Sequence, residues 1–170
     1  IIGAGVHAQF DAILVPNGLG KVKIYTELGR FMLAPHGHLV TKVLHIKDTY
    51  RRYVGVDASA ANLMRPAFYG AYHHITNISN PDGPLEVVDV TGSLCENNDK
   101  FAKQRELPQV RVGDTLIIHD AGAHGFSMGY NYNGRLRTAE ILLPSDGSPR
   151  LIRRAETMDD YFATISGFDF

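Results

Sequence analysis

The chain has 170 residues, enough for one domain or one domain with part of another. Its 17 Lys and Arg against 18 Asp and Glu leave a formal net charge of −1, with no basic excess to neutralise a phosphate backbone, so nucleic acid is a poor partner. No apolar run reaches bilayer length and no signal-like n-region precedes an apolar one, while a single cysteine rules out an internal disulfide and fits a reducing, cytoplasmic compartment.

Residues 5–15 carry Val6, Phe10, Ile13 and Leu14 at near-helical spacing, and Pro16-Asn17-Gly18 stops the pattern, which predicts a helix ending there. Lys21–Thr26 alternates and predicts a short strand, with Glu27-Leu28-Gly29-Arg30 as the turn at its end. From there the pattern is mostly of period two. Strands are expected at Phe31–Leu33, His38–Lys47, Tyr50–Val56, Tyr72–Ile78, Leu85–Thr91, Asp114–His119, Arg135–Leu143 and Arg150–Glu156. Asp146-Gly147 is a hairpin turn signal between the last two. Helices are expected at Ser59–Phe68 and at Met158–Ile165, the latter with Thr157 as its N-cap. Many short strands between turn residues argue for a mainly β barrel or sandwich. The sequon Asn77-Ile78-Ser79 reads as chance.

Four motifs carry possible chemistry. In Glu27-Leu28-Gly29-Arg30 a carboxylate and a guanidinium three apart can reach one ligand from one loop, and Gly29 lets backbone N–H groups approach a phosphate. The plain alternative is a turn with an exposed ion pair. In Leu63-Met64-Arg65-Pro66-Ala67-Phe68-Tyr69, a helical turn would put Arg65 and Tyr69 on one side, although a capping arginine and a half-buried tyrosine would look the same. Cys95-Glu96-Asn97-Asn98-Asp99 sets a thiol beside a carboxylate; a lone cysteine is otherwise commonly a small buried apolar residue. Asp120-Ala121-Gly122-Ala123-His124-Gly125 ends a strand in small residues.

Taken in order from about Glu27 to Leu143, these motifs resemble the pyridoxal-phosphate-dependent amino-acid decarboxylases, and within them the diaminopimelate decarboxylases. The resemblance implies the C-terminal β-barrel or sandwich domain of the alanine-racemase-like decarboxylases. This domain would be preceded by the last α/β unit of a (β/α)8 barrel, with the boundary between residues 34 and 35. The cofactor implied is pyridoxal 5'-phosphate, held by Glu27 against the ring nitrogen and by Gly29, Arg30 and His124. Two departures stand out: the family motif has proline where this chain has Leu28, and a tyrosine that touches the cofactor where this chain has His124. Tyr130 and Tyr132 are candidates to compensate.

The resemblance makes Arg30, Arg65, Tyr69 and Glu96 substrate ligands and Cys95 the catalytic proton donor. It places the Cys95 loop in a partner subunit's site and so implies a homodimer with shared active sites. Diaminopimelate carries both an ammonium and a carboxylate at its far end. Arg30 and Arg65 could clamp the carboxylate while Glu96 takes the ammonium, a charge count that favours it over ornithine. The six lysines, Lys21, Lys23, Lys42, Lys47, Lys100 and Lys103, sit in polar settings, and none matches the family's cofactor-binding lysine. The chain, which starts without methionine, is therefore expected to be a C-terminal fragment that is inactive alone. Within the family the alternatives are decarboxylases of carboxynorspermidine, ornithine or arginine; outside it, a non-catalytic β-domain serving in dimerisation or regulation. The eight histidines, including His36-Gly37-His38, His73-His74, His119 and His124, raise a metal-binding barrel as a rival, but no third and fourth ligand falls at a recognisable spacing, so no metal is expected.

Overall fold

The computed structural model describes residues 1–167. Helix α1 (Ile2–Gln9) runs on as one π-helical stretch over Phe10–Leu14, so the expected first helix forms and begins slightly earlier. Lys21–Thr26 does not form a strand. A strand needs a neighbour to complete its ladder, and nothing among the described residues pairs with this segment. Phe31–Leu33, expected as strand, belongs instead to the short helix α2 (Gly29–Leu33), which tightens into a 3-10 turn over Ala34–His36.

The sheet begins at β1 (Leu39–Asp48) and continues through β2 (Arg52–Val56), β3 (Ile75–Asn77), β4 (Leu85–Thr91), β5 (Lys100–Pro108) and β6 (Thr115–Ile118). Their order across the sheet is β3-β6-β1-β2-β4-β5. β2 and β4 run parallel, whereas every other pair is antiparallel. The two edge strands, β3 and β5, come into contact. Arg105 on β5 donates to the His73 carbonyl just ahead of β3 at 3.0 Å, so the sheet curls into a nearly closed barrel. A separate hairpin, β7 (Glu140–Leu142) with β8 (Arg150–Arg153), turns near Gly147, whose φ of 76° is the positive value that its Asp-Gly signal implies.

One face of the barrel sheet makes the core. Val43, Val54, Val56, Val88, Val90, Leu116, Ile118 and Ile75 point inward and are essentially inaccessible. Phe101, Leu107 and Val110 close the cluster, and each such apolar side chain stabilises the fold by about 1.5–3 kcal/mol. The buried polar side chains Asn77, Asp89 and Asp99 are paired. Asn77 accepts from the Ser79 and Asn80 amides and donates to the Gln109 carbonyl and Asp114, which leaves the sequon asparagine wholly occupied inside the barrel.

β5 was not expected from the sequence. Gln104 takes a positive φ of 46° in mid-strand and the register with β4 shifts there, which breaks the two-residue alternation. The irregularity has a use: the Gln104 amide donates to buried Asp89 at 2.7 Å. The expected helix at Ser59–Phe68 is also corrected. Residues 59–63 form a turn in which Asn62 accepts from the Ser59 amide, and only α3 (Arg65–Tyr69) is helical. Pro66 lacks an N–H and suits the first turn of a helix, not its interior, so it sets the start. Gly70, left-handed at φ 61°, ends it. At the other end, α4 (Met158–Phe162) begins at Thr157 with a full capping box to Asp160.

Candidate functional site

Residues 33–37 and 120–122 meet backbone to backbone. Ala121 N–H donates to the Gly37 carbonyl at 2.8 Å and Gly122 N–H to the Ala34 carbonyl at 3.1 Å. A side chain on Gly122 would run into the Leu33 carbonyl, and one on Gly37 into Gly122 itself, so both positions exist to let the segments touch. Beside this junction lies a cleft of about 870 Å³ lined by Glu27, Gly29, Arg30, Tyr72, His73, Asp120 and His124, together with Leu28, Phe31, Ala34 and Pro35.

The cleft therefore gathers all four residues expected to touch a cofactor: Glu27, Gly29, Arg30 and His124. Among the described residues, neither Glu27 nor Arg30 has a side-chain partner, which removes the exposed ion pair as an account of the motif. Both charges are free to meet a ligand. Gly29 would have nothing within 4 Å of an added Cβ, so the chain's own packing does not require glycine there. His124 is held at φ 61°, a strained value for a non-glycine residue, and its Nδ1 is buried without a hydrogen-bond partner. A free carboxylate and a free guanidinium in one cleft, with the orphaned ring nitrogen of His124 buried at its wall, fit a polar, anionic, ring-bearing group such as pyridoxal phosphate.

Sequence reading assigned no place in the cleft to Tyr72, His73 or Asp120. His73 is buried, with Nδ1 on the His119 carbonyl at 2.8 Å, and Arg105 stacks over Tyr72 at 4.1 Å. Tyr72 and His73 join the cleft through strand register, while Asp120 arrives with His124 in one motif. Asp120, at φ 57°, shows the same backbone demand as His124.

Arg65, Tyr69, Cys95 and Glu96 do not line this cleft. Arg65 and Tyr69 share one side of α3 as their spacing implies, with the guanidinium 5.4 Å from the ring centroid and Nε buried without a partner. Cys95 and Glu96 lie on the β4–β5 connection, and the thiol is exposed and free, not a packed core residue. Tyr130 stands between the two: it packs edgewise on Phe68 of α3 and feels the charges of Asp99 and Glu96. Burial first, and those carboxylates second, raise its phenol above the usual value. Tyr132 donates to the Cys95 carbonyl at 3.4 Å, so neither tyrosine replaces the expected aromatic in the cleft.

The histidines do not converge as ligands. Among the described residues, no group of three His, Cys, Asp or Glu side chains is placed to hold a metal ion. Instead His38, His119 and His74 stand side by side across the ends of β1, β6 and β3, with ring centroids 4.9 and 5.2 Å apart, and His119 Nε2 pairs with the Thr76 hydroxyl at 2.8 Å. Among the described residues, no helix is long and apolar enough to cross a membrane.

Comparison with known proteins places this geometry. Protein TabA of Pseudomonas amygdali pv. tabaci is 52% identical over 143 residues, covering 84% of this chain and 34% of its own length. The diaminopimelate decarboxylase of Methanothermobacter thermautotrophicus is 44% identical over 156 residues, or 91% of this chain and 36% of that protein. Among solved structures, diaminopimelate decarboxylase from M. jannaschii in co-complex with L-lysine superposes with a TM-score of 0.77 at 45% identity, over 82% of this chain and 32% of that one. The chain thus spans about a third of the proteins that it matches. Residues 31–122 match the family described as pyridoxal-dependent decarboxylase, C-terminal sheet domain. With the barrel sheet, the cleft and the motifs in agreement, this chain belongs to the pyridoxal-dependent decarboxylases, in their C-terminal sheet domain.

Proposed function

We propose that the chain is the C-terminal part of a carboxy-lyase that converts meso-2,6-diaminopimelate to L-lysine and carbon dioxide in the cytoplasm. The observation that carries the reading is the cleft in which Glu27, Gly29, Arg30 and His124 face one space with their charges and the His124 Nδ1 unpaired. Glu27, Gly29, Arg30 and His124 would hold pyridoxal phosphate. When bound, that cofactor supplies an electron sink for the pair released as carbon dioxide departs.

The chain's own residues would do the rest. Arg30 and Arg65 bind the carboxylate at the non-reacting end, Tyr69 packs along the substrate, and Glu96 takes the distal ammonium. Cys95 Sγ returns a proton to the carbon that lost its carboxylate, a role open to an exposed, free thiol. The separation of Cys95 and Glu96 from the cleft of their own chain supports a homodimer in which each subunit lends this loop to the other's site. The boundary between residues 34 and 35 divides the end of the cofactor barrel from the sheet domain, and the lysine that bonds the cofactor belongs to the rest of the longer protein. The 170-residue chain alone therefore turns over nothing.

The test is an assay of the longer protein, loaded with cofactor, against meso-diaminopimelate, L-ornithine and L-arginine, for wild type and Cys95→Ala. Turnover of diaminopimelate alone, with a loss of about 10²-fold or more in the variant, is expected for a removed general acid. Turnover of ornithine or arginine instead would move the chain to another decarboxylase of the same fold. No turnover of any substrate would leave it a non-catalytic partner.

A further inference from the structure

The connection between β4 and β5 carries the exposed thiol, and an exposed loop of eight residues would ordinarily wander. Here it is gripped at two adjacent amides. From inside, the buried Asp99 carboxylate accepts from Leu94 N–H at 2.8 Å and, with its other oxygen, from Ala60 N–H at 2.7 Å, tying the loop to the turn that leads into α3. Gly92 makes this possible, because a Cβ there would collide with the carboxylate. From outside, the Asn133 side-chain carbonyl accepts from Cys95 N–H at 2.7 Å, and Tyr132 donates to the Cys95 carbonyl. Asn133 itself sits at φ 56°, a left-handed conformation that asparagine tolerates better than most residues and glycine better still. The backbone is therefore bent to deliver one side chain to one amide.

We propose that Asn133 and Asp99 are positioning residues for the Cys95 thiol, Asn133 fixing the Cys95 amide and Asp99 fixing the loop to the turn before Arg65. Neither touches the reacting atoms. Their effect is to make the place of the thiol independent of the mobility of its loop, and to couple it to the segment that carries Arg65 and Tyr69. The inference rests on the proposed proton-donor role of Cys95 for its kinetic consequence only; the grip itself is a statement about the loop.

The experiment uses the longer protein with three variants, Asn133→Gly, Asn133→Asp and Asp99→Asn. Asn133→Gly suits the left-handed backbone and removes only the acceptor, so it should fold. Asn133→Asp keeps an acceptor oxygen at the same reach. Asp99→Asn leaves one of the two inner amides facing a donor. Deuterium uptake in the peptide over residues 93–98 should rise about fivefold in rate for Asn133→Gly and Asp99→Asn, the size expected from losing one hydrogen bond, and stay near wild type for Asn133→Asp. In the same proteins kcat should fall about tenfold for Asn133→Gly with KM within about twofold, and recover in Asn133→Asp. Unchanged uptake in Asn133→Gly overturns the grip. Faster uptake with unchanged kcat overturns the claim that the grip positions the thiol. An enzyme that turns over no substrate in any form defeats the proposed function, while uptake still decides the grip.

Discussion

His119 shows how much one side chain can report about the barrel end. The ring is flanked by His38 from the segment entering β1 and His74 from the segment entering β3, with Asp120 next in the chain and the Thr76 hydroxyl on Nε2. Burial first, then the two neighbouring imidazoles, lower its pKa below the ordinary value, and Asp120 opposes them. The folded state thus favours neutral His119, and the unfolded state binds the proton more readily. The resulting stability is fully present above the ordinary imidazole pKa of about 6.5 and is lost as the pH falls through the lowered value. The melting temperature of wild type should therefore drop more between pH 7.5 and 5.5 than that of His119→Gln. Equal drops would show that the row carries no proton linkage at this residue. Three imidazoles side by side were visible in the sequence as scattered histidines, and it is the pairing of Ile118 with both Leu39 and Ile75 that sets their row.

At the scale of the element, Gly29 in the cleft and Gly122 beside it answer to different causes. Gly122 has no room: an added methyl would press on the Leu33 carbonyl and the Gly37 amide nitrogen, which are backbone and cannot swing aside. Gly122→Ala should cost about 1–3 kcal/mol and weaken cofactor binding together, as overpacking forces the 33–37 and 120–122 segments apart. Gly29 has open space, so Gly29→Ala should leave the melting temperature unchanged and lower only the cofactor affinity, measured by absorbance titration of the longer protein. A loss of stability in Gly29→Ala, or none in Gly122→Ala, would refute the distinction. The elements themselves were legible to different degrees. Leu85–Thr91 and most of β1 and β2 were legible as short runs rich in β-branched residues that supply Val43, Val54, Val56, Val88 and Val90 to the core. β5 was hidden by its irregularity at Gln104, and Lys21–Thr26 alternates without a partner to make it a strand. The Glu27–Arg30 motif and His124 were readable because each is local. The places of Tyr72, His73 and Asn133 were not, since strand register and loop closure set them, and Asp120 and Asp99 stood inside motifs without a role of their own.

Over the whole molecule, burial is uneven. None of the first 38 residues is buried, and an apolar groove of about 1030 Å³ runs between α1 and residues 22–31, lined by Ile2, Val6, Phe10, Val22, Ile24 and Leu28 among others. Apolar surface of this extent favours association, so the isolated 170-residue chain should sediment as oligomers at micromolar concentration. Removal of residues 1–34 should reduce this association while the barrel stays folded; a monodisperse monomer of the full chain would contradict the expectation. The parallel pairing of β2 with β4 has a different kind of consequence. Parallel neighbours cannot be joined by a tight turn and require a crossover of a dozen residues or more. In this chain the crossover is residues 57–84, which hold Arg65, Tyr69, Tyr72 and His73. Length can be gained or lost at the β7–β8 tip without touching the barrel, but the crossover cannot be shortened away. Arg65, Tyr69, Tyr72 and His73 are thus written into the stretch of chain that the topology least allows evolution to delete.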